Sequence, residues 1–190
     1  MKLIVTGFGP FGSVIDNPSR IIAKEVVEDL VRQGYDAEFL DWRVSINDVN
    51  QYYENLQKGD YFMLHLGLYQ GITKIHMEAQ AINNADFSIP DADGAQPRNE
   101  QIDSNYPLDY EFVNSLPIDE WVKTLSQYFD KSLSAGTFVC NYTYFRGLTN
   151  VGKKVKGALF VHCAEFSDFP KEVQVAGVTK LSHLIISHFL

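Results

Sequence analysis

The stretch SAGTFVCNYTYF, residues 134–145, decides how the whole chain is read. Thr137-Phe138-Val139 is a short apolar run ending at Cys140, and the aromatic segment after Asn141 can open a helix. This reads as a strand, a turn and a helix, with a thiol at the top of the strand facing a helix N-terminus. Partly unpaired N–H groups at such a terminus stabilise an anion, and the thiolate is the reactive form of cysteine. Strand, turn and helix are the unit of an α/β fold. The remaining residues must then supply a base and an orienting acid if Cys140 is a nucleophile.

Outward from that stretch the same alternation recurs. Residues 2–6 (KLIVT) and 61–66 (YFMLHL) are apolar runs of the kind that form buried strands, stopped by Gly7 and Gly67. Residues 37–44 and 157–162 read as two more strands, and 137–139 as a further one. Asn17-Pro18-Ser19 supplies an N-cap and a first-turn proline for a helix over 18–32, in which Ile21, Ile22, Val26, Val27, Leu30 and Val31 recur at helical spacing. Ser45 caps a second helix over 46–57. Residues 117–130, 142–152 and 171–190 are further helices. Residues 74–84 (KIHMEAQAINN) alternate as a strand, with Ile75, Met77, Ala79 and Ala81 on one side and Glu78 on the other, while EAQA also favours a helix. Residues 86–116 form a long, mostly irregular loop with room for a hairpin, and such loops are usually functional or mobile. This order predicts an α/β fold in one domain over residues 1–190. Helices cover both faces of the sheet, and functional groups gather at the carboxyl ends of strands.

Composition narrows the function classes. Of 190 residues, 45% are apolar and 21% charged, ordinary for a soluble globular protein. The net charge of −8 lacks the basic footprint of a nucleic-acid binder and does not suit an anionic membrane surface. No apolar stretch approaches the ~18–20 residues of a membrane span. The start, MKLIVTGFGPFG, lacks the ~7–15-residue apolar core of a secretory leader, so the expected location is cytoplasmic. Cys140 and Cys163 are too few for a disulfide framework and read as free thiols.

Each motif carries a plain alternative. Gly7-Phe8-Gly9-Pro10-Phe11-Gly12 spells a dinucleotide-binding pattern, yet the helix cap comes five residues past Gly12, at Asn17, and Pro10 removes an N–H. Phe8 and Phe11 instead offer an apolar slot for a small flat ring, or simply cover the end of the sheet. Cys140 and Cys163 both follow apolar runs and are rivals by sequence alone. Among the five histidines, His162 ends the run GALFV, where a sheet-top base belongs, although a structural histidine is equally served there. Glu78, Asp86, Asp91, Asp93 and Glu165 are candidate orienting acids. Glu78 stands out because its neighbours are apolar. No histidine or cysteine spacing matches a metal site.

Taken in order, VTGFGPFG with NPS, E-x-x-A-I-N at 78–83, IPDADGAQP at 89–97, SAGTFVCN at 134–141 and FVH at 160–162 make the chain resemble the pyroglutamyl peptidase I family of cysteine peptidases. The resemblance implies a three-layer α/β/α sandwich with a mostly parallel central sheet. It implies Cys140 as nucleophile, His162 as general base and acid, and Glu78 as the acid that orients the imidazole. Phe8, Phe11 and Leu68 fall at the pocket for a pyrrolidone ring. The implied reaction releases N-terminal pyroglutamate from peptides, without metal or organic cofactor, and the family leaves room for a homo-oligomer. Leu68, Ser88 and Tyr142 depart from residues common in bacterial members, which implies a pocket of altered polarity. A thiol amidohydrolase acting on another small amide and a pyroglutamyl-binding protein of weak activity are the alternatives.

Overall fold

The run GALFVHC is buried along its whole length, and its side chains part alternately to two sides. Leu159, Val161 and Cys163 join one apolar cluster, and Phe160 joins another. A strand of this kind needs cover on both faces, and the computed structural model, which describes residues 1–190, provides it. The strands are β1 (Lys2–Phe8), β2 (Ala37–Trp42), β3 (Tyr61–Leu68), β4 (Ile75–Glu78), β5 (Gln80–Ile82), β6 (Glu111–Val113), β7 (Phe129–Ser132) and β8 (Gly157–Cys163). The helices are α1 (Pro18–Arg32), α2 (Ile46–Asn55), α3 (Ile118–Thr124), α4 (Val139–Thr149) and α5 (Lys171–His188).

Six strands form the central sheet in the order β2-β1-β3-β8-β4-β7. The first four are parallel; β4 runs antiparallel to β8, and β7 parallel to β4. Helices α1, α3 and α5 pack on one face around Leu64, Leu66, Met77 and Val161. Helices α2 and α4 pack on the other, with Tyr53, Phe145 and Phe160 at its centre. This is the expected three-layer α/β/α sandwich with a mostly parallel sheet. No helix is long and apolar enough to cross a membrane.

Local signals fix several boundaries. Asn17 accepts the Ser19 N–H at 3.1 Å and caps α1, with Pro18 in the first turn. Asn17 also donates to the Gly9 carbonyl, while Ser19 Oγ accepts the Phe8 N–H, so the start of α1 locks the glycine loop. A Cβ on Gly7 would lie 2.6 Å from the Ser19 carbonyl oxygen, so only glycine lets the helix approach this closely. The capped, occupied helix start leaves no phosphate cradle. Ser45 caps α2 as expected, and the strand reading of 74–84 holds, broken at Ala79 into β4 and β5. The break turns Ala81 to the opposite apolar cluster from Ile75, Met77 and Ala79, and β5 pairs with β6 in a separate two-stranded sheet.

Two expectations are corrected. Residues 137–139 are not a strand: Phe138 is the N-cap of α4, and Val139 and Cys140 are its first residues. The run is apolar because Val139 packs in the core beneath the helix, where periodicity over three residues cannot tell helix from strand. The helix expected over 117–130 stops at Thr124, and Phe129 opens β7 instead. The edge of β4 takes Phe129 as a register partner of Ile75, a pairing that local helical spacing does not reveal.

Candidate active site

The cysteine, the histidine and the acid meet on the α4 side of the sheet. Strand alternation turns His162 away from Val161 and Cys163, towards α4. His76 is the cross-strand partner of His162, and Met77 pairs with Val161, so Glu78 falls one position further along β4 on the same face as His162. The Glu78 and His162 side chains are 1% and 2% exposed. Nδ1 of His162 lies 2.7 Å from Glu78 Oε1. An ionised carboxylate only accepts, so Nδ1–H donates, and Nε2 is left for another partner.

Cys140 approaches from α4. A Cβ on Gly67 would lie 2.9 Å from Cys140 Sγ and 2.7 Å from the Phe160 ring, so the sulfur sits over a glycine. Gly67 is the register partner of His162 on the neighbouring strand. Burial works against a charge on His162, but Cys140 and then Glu78 outweigh it, and the imidazole is raised above its ordinary value. The N–H groups of Val139, Cys140 and Asn141 make no backbone hydrogen bond, and α4 has no side-chain N-cap. Those donors are free beside the sulfur.

The surrounding loops hold this start of α4 in place. Asn141, fully buried, accepts the Ile82 N–H at 2.9 Å and donates to the Ile82 and Asn84 carbonyls at 2.9 and 3.0 Å. Thr137 exchanges two hydrogen bonds with the backbone of Asp86. Asn83 gathers residues 102–107 around its amide. Tyr144 donates to the Glu78 carbonyl at 2.8 Å. A cavity of about 240 Å³ opens beside Cys140, lined by Phe8, Phe11, Val44, Leu68 and Phe138 among others. Drug-sized ligands take pockets of ~300–1,000 Å³, so this one suits a single small ring.

The pyroglutamyl peptidase family model matches residues 1–172. The chain belongs to that family. It is 34% identical to the pyrrolidone-carboxylate peptidase of Thermococcus litoralis over 154 residues, 77% of this chain and 68% of that protein. The Pyrococcus furiosus pyrrolidone-carboxylate peptidase is 33% identical over 174 residues, 85% of this chain and 80% of that one. The solved structure of the Thermococcus litoralis pyrrolidone carboxyl peptidase superposes with a TM-score of 0.81 at 25% identity, covering 99% and 94% of the two chains.

Set against the sequence expectations for this family member, Cys140, His162 and Glu78 are brought together, and Phe8, Phe11 and Leu68 share the cavity with the thiol. Cys163 lies in the core across the sheet, where burial pushes its thiol far up. Of the rival acids, Asp91 and Asp93 hold residues 91–95 to the start of α2, and Glu165 pairs with Gln70. Asp86 is exposed. Ser88 is exposed away from the cavity, and Tyr142 turns to Asn50 on α2 at 3.0 Å, so of the three departures Leu68 alone touches the pocket. Sequence reasoning missed Gly67, Val44 and Phe138. For Gly67 a signal existed: a glycine closing an apolar strand leaves room for a neighbour.

Proposed function

We propose that residues 1–190 act as one cysteine exopeptidase domain that hydrolyses the amide bond after an N-terminal pyroglutamyl residue. The observation that carries the reading is the His162–Glu78 hydrogen bond on the face that Cys140 overlooks, beside an apolar one-ring cavity. A lactam is flat, largely apolar and uncharged. Phe8, Phe11, Val44 and Phe138 supply apolar surface for it, and a charged N-terminal amine would be desolvated there without a partner.

In this mechanism His162 Nε2 takes the thiol proton, and Cys140 Sγ attacks the carbonyl joining the lactam to the next residue. The carbonyl oxygen gains negative charge beside the free N–H groups at the start of α4, which act as its oxyanion donors. His162 then protonates the leaving amine, and the C–N bond breaks to leave a thioester. Water, deprotonated by the same imidazole, releases pyroglutamate and the free thiol. Glu78 holds the ring in the tautomer that both steps need. All three groups come from one chain. The reaction needs a reduced Cys140, and the two free thiols fit a reducing compartment such as the cytoplasm.

The test is release of dye from a pyroglutamyl arylamide, with prolyl and glutaminyl arylamides in parallel. Cys140→Ala removes turnover, and Cys163→Ala keeps it. Turnover by the Cys140 variant, or faster cleavage of a different acyl group by the intact protein, would overturn the assignment.

A further inference from the structure

Tyr69 and Gln70 line the cavity, Glu165 is tied to Gln70, and none of the three has a part in the chemistry above. Tyr69 extends the β3–β8 ladder beyond Leu68, its N–H donating to the Cys163 carbonyl at 2.9 Å. Its ring meets the His162 ring nearly edge to face, centroids 5.4 Å apart. Tyr69 is nonetheless 49% exposed, an aromatic ring held in solvent at the rim of the cavity. Gln70 follows on the cavity wall, and its amide donates to Glu165 Oε1 at 2.9 Å. No lysine or arginine pairs with Glu165. The cavity lining itself contains no Asp, Glu, Lys or Arg, so Glu165 brings the charge to its edge.

The direction of the substrate follows from the reaction. The lactam occupies the apolar cavity, and the leaving nitrogen must face His162, which protonates it. Tyr69 covers the flank of His162 and Gln70 follows it on the cavity wall, so a leaving residue that crosses this wall would meet Glu165 through Gln70. The exposed Tyr69 ring, which also meets His76 at 6.3 Å between centroids, and a carboxylate with no cationic partner one residue further along, through Gln70, are the two kinds of group that recognise a cation.

We propose that Tyr69 and Glu165, joined through Gln70, bind the side chain of the leaving residue and favour lysine or arginine there. The proposal rests on the pyroglutamyl-peptidase reading. It is tested with kcat/KM at low ionic strength on three neutral-ended peptides: pyroglutamyl-lysinamide, pyroglutamyl-alaninamide and pyroglutamyl-glutamic-1-amide. The expected order is lysyl, alanyl, glutamyl, with lysyl ahead of alanyl by roughly two- to fivefold, the size of one partly exposed charge pair. Glu165→Gln shrinks the lysyl-to-glutamyl ratio, and Tyr69→Leu shrinks the lysyl-to-alanyl ratio. Glu28→Gln, the same charge change on exposed α1 across the sheet, leaves both ratios alone. A ratio unchanged in Glu165→Gln, or reduced equally in Glu28→Gln, overturns the proposal, and so does a wild-type protein with no lysyl preference. Wild-type protein that cleaves none of the three peptides instead refutes the functional reading beneath it.

Discussion

Glu78 is the residue on which the chemistry turns. It is a buried carboxylate with one oxygen on His162 and the other, Oε2, without a hydrogen-bond partner. Such a group is costly to keep, and the charge it contributes helps raise His162 against the opposing effect of burial. Glu78→Gln keeps the volume and removes the charge. The amide can also turn its NH2 towards Nδ1 and favour the wrong tautomer. The expected fall in kcat/KM is roughly 10²–10⁴-fold. The imidazolium is then held less far above its ordinary value, so the alkaline limb of the pH–rate profile moves to lower pH. Steady-state rates from pH 5 to 10 on a pyroglutamyl arylamide check both effects; an unmoved limb would mean that Glu78 only fills space. Glu78 was legible because an acid in an apolar alternating run needs a partner. Its partner was named only through the family resemblance, because 84 residues separate the two along the chain and no local pattern joins them.

At the scale of the element, α4 depends on Asn141. Its amide bonds to the β5 backbone as a neighbouring strand would, and so sets where the first turn, with Cys140, stands against the sheet. Asn141→Ala leaves the Ile82 N–H and the Ile82 and Asn84 carbonyls without those partners. At ~1–3 kcal/mol for each buried group left unsatisfied, and with some relaxation, the expected loss is about 3 kcal/mol. Urea unfolding of the two proteins measures it, and a loss under about 1 kcal/mol would show that the contact is incidental. The CN pair marked this place in the sequence, yet 137–139 read as a strand. Three apolar residues carry no period; the core under Val139 and the hold of Thr137 on Asp86 decide the conformation.

At the scale of the molecule, His65 links the core to pH. It is wholly buried in β3, between the Thr6 and Tyr53 hydroxyls at 2.8 Å each. Burial lowers its pKa to about 3. The unfolded chain takes up a proton below its ordinary value of ~6.5, and the folded chain does not until pH about 3. Stability is therefore full above pH ~6.5 and falls between there and pH 3, by about 2 kcal/mol at pH 5. His162 has the opposite sign: its raised pKa gives stability that is full below ~6.5 and fades as the pH rises towards the folded value. His65→Gln, which cannot titrate, is expected to be less stable at pH 7.5 but to lose less on moving to pH 5. Denaturant unfolding at the two pH values reads the difference, and equal losses in both proteins would remove His65 as the cause.

By itself the chain determined most of its local structure. Caps at Asn17 and Ser45, glycine stops, and apolar runs set the α/β class, because hydrogen-bond satisfaction and burial act over a few residues at a time. The motifs also nominated Cys140, His162 and Glu78. Tertiary structure alone decided three things. It reversed β4 beside β8, which brings Glu78 under His162. It placed Cys140 and Cys163 on opposite faces of one sheet, which separates two thiols alike in sequence. It also made Phe129 a strand residue, since only an open sheet edge could offer that pairing. Each depends on contacts between residues far apart in the chain, where register and packing, rather than local preference, set the free energy.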